Sequence, residues 1–157
     1  MLSLNNLHQL CIEKGVSIAV AESCTAGLIA SKLTTLPGSS SYFNGGVVAY
    51  HNKIKTKVLG VRQSIIDEKT EVSVEVVNQM AKSVLEKFDA NFAIATTGYA
   101  GPSGGTNKNP IGTVFIAIAS VVGIVVNRFV FLGNRQSIVN QASESALSLL
   151  YNEIKKQ

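Results

Sequence analysis

Ala21-Glu22-Ser23-Cys24-Thr25-Ala26-Gly27 is the stretch whose reading decides the fold. The residues leading into it, Val16 to Val20, are uncharged and partly β-branched, so a buried strand is expected over Val16–Ala21. The residues after it have helical character until Pro37-Gly38, which predicts a helix from about Thr25 to Leu36. A strand that stops, a turn of small and hydroxyl residues and a helix that starts would present side chains at the C-terminal edge of a sheet. Helix N–H groups would face whatever binds there. Ser23 is the candidate nucleophile. Ser and Thr before an apolar helix also serve as N-caps, and that role stands beside the chemical one.

Outward from this turn, the chain alternates. Ser3 is placed to cap a helix over Leu4–Lys14, with Leu4, Leu7, Leu10 and Cys11 on one face, His8 beside it and Gly15 ending it. Tyr42 to Tyr50 reads as a strand in which Gly45-Gly46 marks a bulge or the close approach of another backbone. His51 to Leu59 reads as a short helix with Ile54 and Val58 four apart, stopped by Gly60. Ser64 caps a further turn. Ser73 caps a long amphipathic helix to about Phe88, its inner face being Val76, Val77, Met80, Ala81 and Val84. Phe92–Ala95 is a strand. Thr113–Val121 and Ile124–Leu132 form an antiparallel hairpin about Val122-Gly123. Arg135–Lys156 is a last helix with Ile138, Ala142, Ala146 and Leu149 inward. Early alternation and a late hairpin predict one α/β domain: a mixed sheet covered by helices on both faces.

Composition narrows the function classes. The 157 residues are 46% apolar and 15% charged, with a mean hydropathy of +0.25, which excludes a disordered chain. So few charges also suggest surface buried in a homo-oligomer. No apolar run reaches the ~18 residues of a membrane span. The first residues lack a signal peptide's basic start and continuous apolar core, so a cytoplasmic protein is expected. The net charge of +4 comes from scattered lysines and arginines without aromatic interleaving. This disfavours nucleic acid as a partner and suits a small anionic ligand. Cys11 and Cys24 are too few for a metal site or disulfide framework and read as reduced, buried thiols.

The second unusual stretch is Thr96-Thr97-Gly98-Tyr99-Ala100-Gly101-Pro102-Ser103-Gly104-Gly105-Thr106, again directly after a strand. Its glycines let backbone N–H groups close on an anion. It is neither GxxxxGK[ST] nor GxGxxG before a helix. A reactive serine needs a base, and histidine is scarce: only His8 and His51 occur. A Ser–Lys pair is the alternative. Lys55, a helical turn beyond the strand end at Tyr50, is placed to meet Ser23, provided burial brings its pKa toward neutrality. Cys24 is a competing nucleophile, with no histidine placed near it.

These blocks (AESCTAG, FNGGVVAYHNKIK, TTGYAGPSGGT…NPIGTVFIAIA and FLGNR before a last helix) resemble the CinA C-terminal domain, over nearly the whole chain and in order. Members of that family acting alone are nicotinamide-nucleotide amidases (PncC type). The resemblance implies a three-layer α/β/α domain that hydrolyses the carboxamide of nicotinamide mononucleotide to nicotinate mononucleotide and ammonia, in pyridine-nucleotide salvage. It implies a small-molecule nucleotide as partner. No metal is expected, since the chain lacks a His/Cys/Asp cluster, and no cofactor is expected. By the same resemblance, Ser23 is the nucleophile, Lys55 the base, and Tyr50 and Thr97 supporting polar residues. Backbone N–H groups after Ser23, with Thr97, would hold the oxyanion. Thr25, Gly101, Ser103, Gly104 and Gly105 would line the crevice, and Arg135 would bind the phosphate.

The sequence departs from the family pattern at His51, Glu71, Tyr99 and Ser103, and has Val139-Asn140 where a second arginine often stands. The N-terminal nucleotide-processing domain of the larger two-domain relatives lies outside this sequence, and its activity is not carried over. A non-catalytic nucleotide-binding or regulatory module of the same fold is the alternative function. A DNA-associated role has only the net charge in its favour.

Overall fold

β1 (Ile18–Glu22) is buried along its whole length. It lies inside a five-stranded sheet ordered β2-β1-β3-β4-β5, in a computed structural model that describes Met1–Gln157. β2 (Phe43–Val48) and β3 (Phe92–Gly98) run parallel to β1 on either side. β4 (Thr113–Ser120) and β5 (Gly123–Val130) add on antiparallel. The sheet is mixed because its connections differ. β1 reaches β2 through a helical crossover, whereas β4 turns into β5 through two residues.

Side chains alternate across the pleat, and the two faces differ in kind. Ile18 and Val20, Phe92 and Ile94, and Val114, Ile116 and Ile118 point to one face. There they meet α1 (Leu4–Lys14), α2 (Leu28–Leu33) and α6 (Arg135–Lys156). The opposite face is almost all alanine: Ala19, Ala21, Ala93, Ala95, Ala117 and Ala119. Small residues let α5 (Val74–Lys87) lie close against the sheet, flanked by α4 (Gln63–Lys69). Val76, Val77, Met80, Ala81 and Val84 of α5 are all buried, as its periodicity predicts. Each larger one contributes roughly 1.5–3 kcal/mol. The result is the three-layer α/β/α sandwich. No helix is long and apolar enough to cross a membrane.

Several boundaries differ from the sequence expectation, each for a local reason. β1 starts at Ile18 rather than Val16, because Ser17 pairs with the Asn91 side chain instead of joining the ladder. α2 starts at Leu28 rather than Thr25, because Ala26 and Gly27 take positive φ (48° and 96°). It stops at Leu33, where the Thr34 and Thr35 hydroxyls bond back to the Ala30 and Ser31 carbonyls. Ser3 and Ser64 cap nothing with their side chains; α4 begins at Gln63. The hairpin turn is Val121-Val122, one residue earlier than expected, with Gly123 (φ 143°) opening β5.

On α6 the buried face is Ile138, Ala142, Ser143, Ala146, Leu147, Leu150 and Ile154; Leu147 and Leu150 take the inward places, and Leu149 is only half-buried. The Gly45-Gly46 reading holds on both counts. Asn44 is bulged out of the pairing with β1, and a Cβ on Gly46 would lie 2.2 Å from the Val20 carbonyl oxygen.

Candidate active site

From β1 the chain crosses to β2 on one side of it and later returns as β3 on the other. The carboxyl ends of β1 and β3 therefore flank a topological switch point, where an open α/β sheet leaves a crevice. Both unusual loops begin there. Glu22 pairs with Thr96 across the ladder, and the Ser23 N–H donates to the Thr96 carbonyl at 3.1 Å.

The turn after β1 is held by Glu22. Its side chain is fully buried, and its carboxylate accepts N–H bonds from Gly27 (3.0 Å), Ile29 (3.1 Å) and Ala30 (2.8 Å). It occupies the N-terminus of α2, where the helix dipole favours a negative charge. The cap on α2 is therefore Glu22, not Ser23 or Thr25. Thr25 is buried, with its hydroxyl 2.8 Å from that of Thr96. The Ser23 hydroxyl is left uncommitted: Oγ makes no hydrogen bond and opens on a cavity of about 220 Å³. Beside it, the Cys24 and Thr25 N–H groups bond to no other residue, whereas those of Gly27, Ile29 and Ala30 are taken.

Lys55 lines the same cavity. It sits on α3 (Asn52–Lys57), whose N-cap is His51: the imidazole Nδ1 accepts the Lys53 N–H at 3.1 Å. This explains how a histidine serves at that position. Lys55 is the buried residue of α3, 1% exposed, while Val58 is exposed and Ile54 only half-buried. The expected Ile54–Val58 face is thus replaced by a lysine turned inward. Its Nζ makes two long bonds, to the Tyr50 carbonyl (3.4 Å) and Asn52 Oδ1 (3.3 Å), and no carboxylate lies within ion-pair distance. Burial pushes the Lys55 pKa down; the Glu71 carboxylate, and after it Cys24, oppose the shift. An amine stripped of water and without a counter-ion favours its neutral, proton-accepting form. Ser23 and Lys55 are not hydrogen-bonded to each other.

Cys24 also borders the cavity, but its thiol belongs to the core and burial pushes its pKa up to about 12. At neutral pH it is a thiol, not a thiolate, which removes the competing nucleophile.

Tyr50, Thr97, Gly101, Ser103 and Arg135 line the cavity as well. Arg135, the first residue of α6, donates to the Gly101 carbonyl (2.7 Å) and to the Tyr50 hydroxyl. Thr97 departs from its expected role. Its hydroxyl donates to the Glu71 carbonyl at 2.7 Å, so its proton is committed and it braces the α4–α5 turn rather than facing an oxyanion.

Thr25, Gly104 and Gly105 do not line the cavity. A Cβ on Gly105 would lie 2.8 Å from the Ile111 amide nitrogen, and one on Gly104 would touch the Tyr99 ring at 3.4 Å. These two glycines let the loop pack on itself. Sequence reasoning did not place Asn52, Glu71 and Val72 at the site. Asn52 is one helical turn before Lys55 and could have been found from that spacing; Glu71 arrives from a separate element and stands out in the sequence only as a departure from the family pattern. A larger, mostly apolar groove of about 760 Å³ between α1, β5 and α6 contains none of these residues.

A sequence model of the CinA C-terminal domain matches residues 3–154. A CinA-like protein of Desulfotalea psychrophila is 47% identical over 142 residues, covering 90% of this chain and 34% of that protein. One of Flavobacterium psychrophilum is 45% identical over 150 residues, covering 96% and 36%. The chain thus spans about a third of the length of the curated relatives it matches. Among solved structures, a competence-damaged protein (CinA) superfamily protein from Klebsiella pneumoniae superposes with a TM-score of 0.94 at 31% identity, covering 98% of this chain and 96% of that one. The competence/damage inducible protein CihA from Agrobacterium tumefaciens gives 0.86 at 34%, covering 92% and 93%.

Proposed function

From the premise that this chain belongs to the CinA C-terminal domain family, we propose that it is a serine–lysine amidohydrolase acting on the carboxamide of nicotinamide mononucleotide. One observation carries the reading: an unbonded serine hydroxyl and a buried lysine without a counter-ion open on one cavity at the switch point of the sheet. A lysine fully buried without an ion-pair partner is costly to the fold, and a proton-accepting role accounts for its presence.

In this reading, neutral Lys55 takes the Ser23 proton as Oγ attacks the carboxamide carbon. The Cys24 and Thr25 N–H groups receive the oxyanion. The C–N bond then breaks, the amine leaves as ammonia with the proton held by Lys55, and water hydrolyses the acyl-enzyme by the same proton route. A cavity of about 220 Å³ is smaller than the ~300–1,000 Å³ of most ligand sites, so the pyridine carboxamide enters and the ribose phosphate extends to the rim. Arg135, at that rim and at the start of a long helix, supplies a guanidinium to the phosphate.

The test is ammonia release from nicotinamide mononucleotide, nicotinamide riboside and free nicotinamide, by the natural chain and by Ser23→Ala. Turnover of the mononucleotide, lost in a folded Ser23→Ala variant by at least about 10⁴-fold, supports the reading. Binding of pyridine nucleotides without turnover would replace it with that of a binding module, and undiminished turnover in the variant would remove Ser23 from the mechanism.

A further inference from the structure

We infer that Glu71 makes this cavity discriminate between a neutral carboxamide and the carboxylate formed from it. The inference rests on the amidohydrolase reading and adds a specificity-determining residue to it. Glu71 lines the cavity with Ser23, Lys55 and Arg135, although it comes from the turn between α4 and α5. Its backbone is fixed from two sides. The Thr97 hydroxyl holds the Glu71 carbonyl at 2.7 Å, and Asn109 Nδ2 holds the Val72 carbonyl at 3.3 Å. Asn109 is itself held by Arg128 Nε at 3.2 Å. Beyond Glu71 the chain is buried at Val72 and Ser73. The carboxylate, by contrast, is half-buried and has no hydrogen-bond or ion-pair partner. The cavity that holds Ser23 and Lys55 is therefore lined by a carboxylate with no partner of its own.

The chemistry of that charge is selective. A carboxylate accepts a hydrogen bond from an amide N–H and repels a second carboxylate in a small space. The substrate end is an amide and the product end is an acid, so Glu71 favours entry of the first and departure of the second. The same charge reaches Lys55, whose surroundings from each packed element are Cys24 after β1, Tyr50 before α3, Glu71 before α5, Tyr99 after β3 and Arg135 at the start of α6. Glu71 is the one carboxylate among them. It holds the Lys55 proton affinity up against burial, so that the base takes a proton from Ser23 without losing all driving force.

The experiment compares Ser23→Ala with Ser23→Ala/Glu71→Gln, neither of which can turn over the substrate. Calorimetry gives the affinities of nicotinamide mononucleotide and nicotinate mononucleotide for each. Glu71→Gln is expected to reduce the preference for the amide by about tenfold or more, mainly by tightening the acid. In parallel, the ¹³Cε shift of Lys55, assigned by its loss in Lys55→Met, reports the titration midpoint. Glu71→Gln is expected to lower it. An amide-to-acid ratio unchanged by Glu71→Gln overturns the inference, and so does a failure of both nucleotides to bind. Failure of the underlying reading shows separately, as absence of ammonia release by the natural chain.

Discussion

The amide of Ser23 donates to the carbonyl of Thr96 at 3.1 Å, which ties the loop after β1 to the end of β3. The Thr25 and Thr96 hydroxyls, 2.8 Å apart, repeat the tie two residues on. The backbone of Ser23 is therefore set by the sheet itself, and the loop after β3 starts from a fixed point beside it. That relationship makes the consequences of single substitutions definite.

Lys55 should control both pH profiles of the protein. Burial places its folded-state pKa below the ordinary 10.5, so the unfolded chain binds the proton more readily. Stability then rises with pH across the window from the lowered value up to about 10.5. Activity, which needs the neutral amine, falls as pH drops through the lowered value. Lys55→Met should abolish ammonia release and raise the melting temperature at neutral pH by a few degrees, the shift that about 1 kcal/mol gives in a domain of this size. Calorimetric scans from pH 6 to 10 and a kcat/KM profile over the same range check both halves.

Glu22→Ala should be costly in stability and in rate. It strands three N–H groups at the start of α2 and frees the turn that carries Ser23. A loss of about 3 kcal/mol is expected, with Glu22→Gln intermediate because its NH₂ group faces donors. Urea denaturation gives the first number and ammonia release the second. A folded, fully active Glu22→Ala would show that Ser23 is placed by other contacts.

Gly46→Ala should unfold the β1–β2 pair. The added methyl would lie 2.2 Å from the Val20 carbonyl oxygen and 2.4 Å from Val20 Cγ2, inside the sheet where neither atom can give way. At least about 3 kcal/mol of destabilisation is expected, read from the urea midpoint.

Arg135→Ala should raise KM for nicotinamide mononucleotide by about tenfold or more and leave the riboside nearly unaffected, because only the first carries a phosphate. Arg135→Lys should recover only part of the loss, since one ammonium cannot reproduce the planar fork that now spans the Gly101 carbonyl and the Tyr50 hydroxyl. Steady-state kinetics on the two substrates decide it.

Much of the fold was legible because its signals are local. The α5 face, the Gly15 stop, the Ser73 cap and the two β-glycines are each written in residues close along the chain. In the structure Gly15 closes α1 in the left-handed region and the Ser73 hydroxyl accepts the Val76 N–H. What could not be read depends on partners distant in sequence. Ser17 gives up the β1 ladder for Asn91. Thr97 spends its proton on Glu71. Glu22 reads locally as the start of the turn after β1, and only the fold back of α2 reveals it as the last strand residue and a cap. The site shows the same division. Ser23 stands out in its own turn, and the spacing of Lys55 from the strand end at Tyr50, with the scarcity of histidine, singles out its partner. Spacing aims Lys55 at the crevice, and the structure has it buried with Lys53 and Lys57 exposed; the absence of a carboxylate at ion-pair distance depends on packing that spacing does not report.

The two cations of the cavity sit at very different depths: Lys55 is 1% exposed, while Arg135 is exposed to solvent. Mobile ions screen a charge only where they can approach it, over a Debye length of ~8 Å at physiological ionic strength. On the proposed reading, added electrolyte should weaken phosphate binding at Arg135 and leave proton transfer at Lys55 little changed. Of the two cations, the exposed Arg135 answers to the bulk solution and the buried Lys55 mainly to the protein around it.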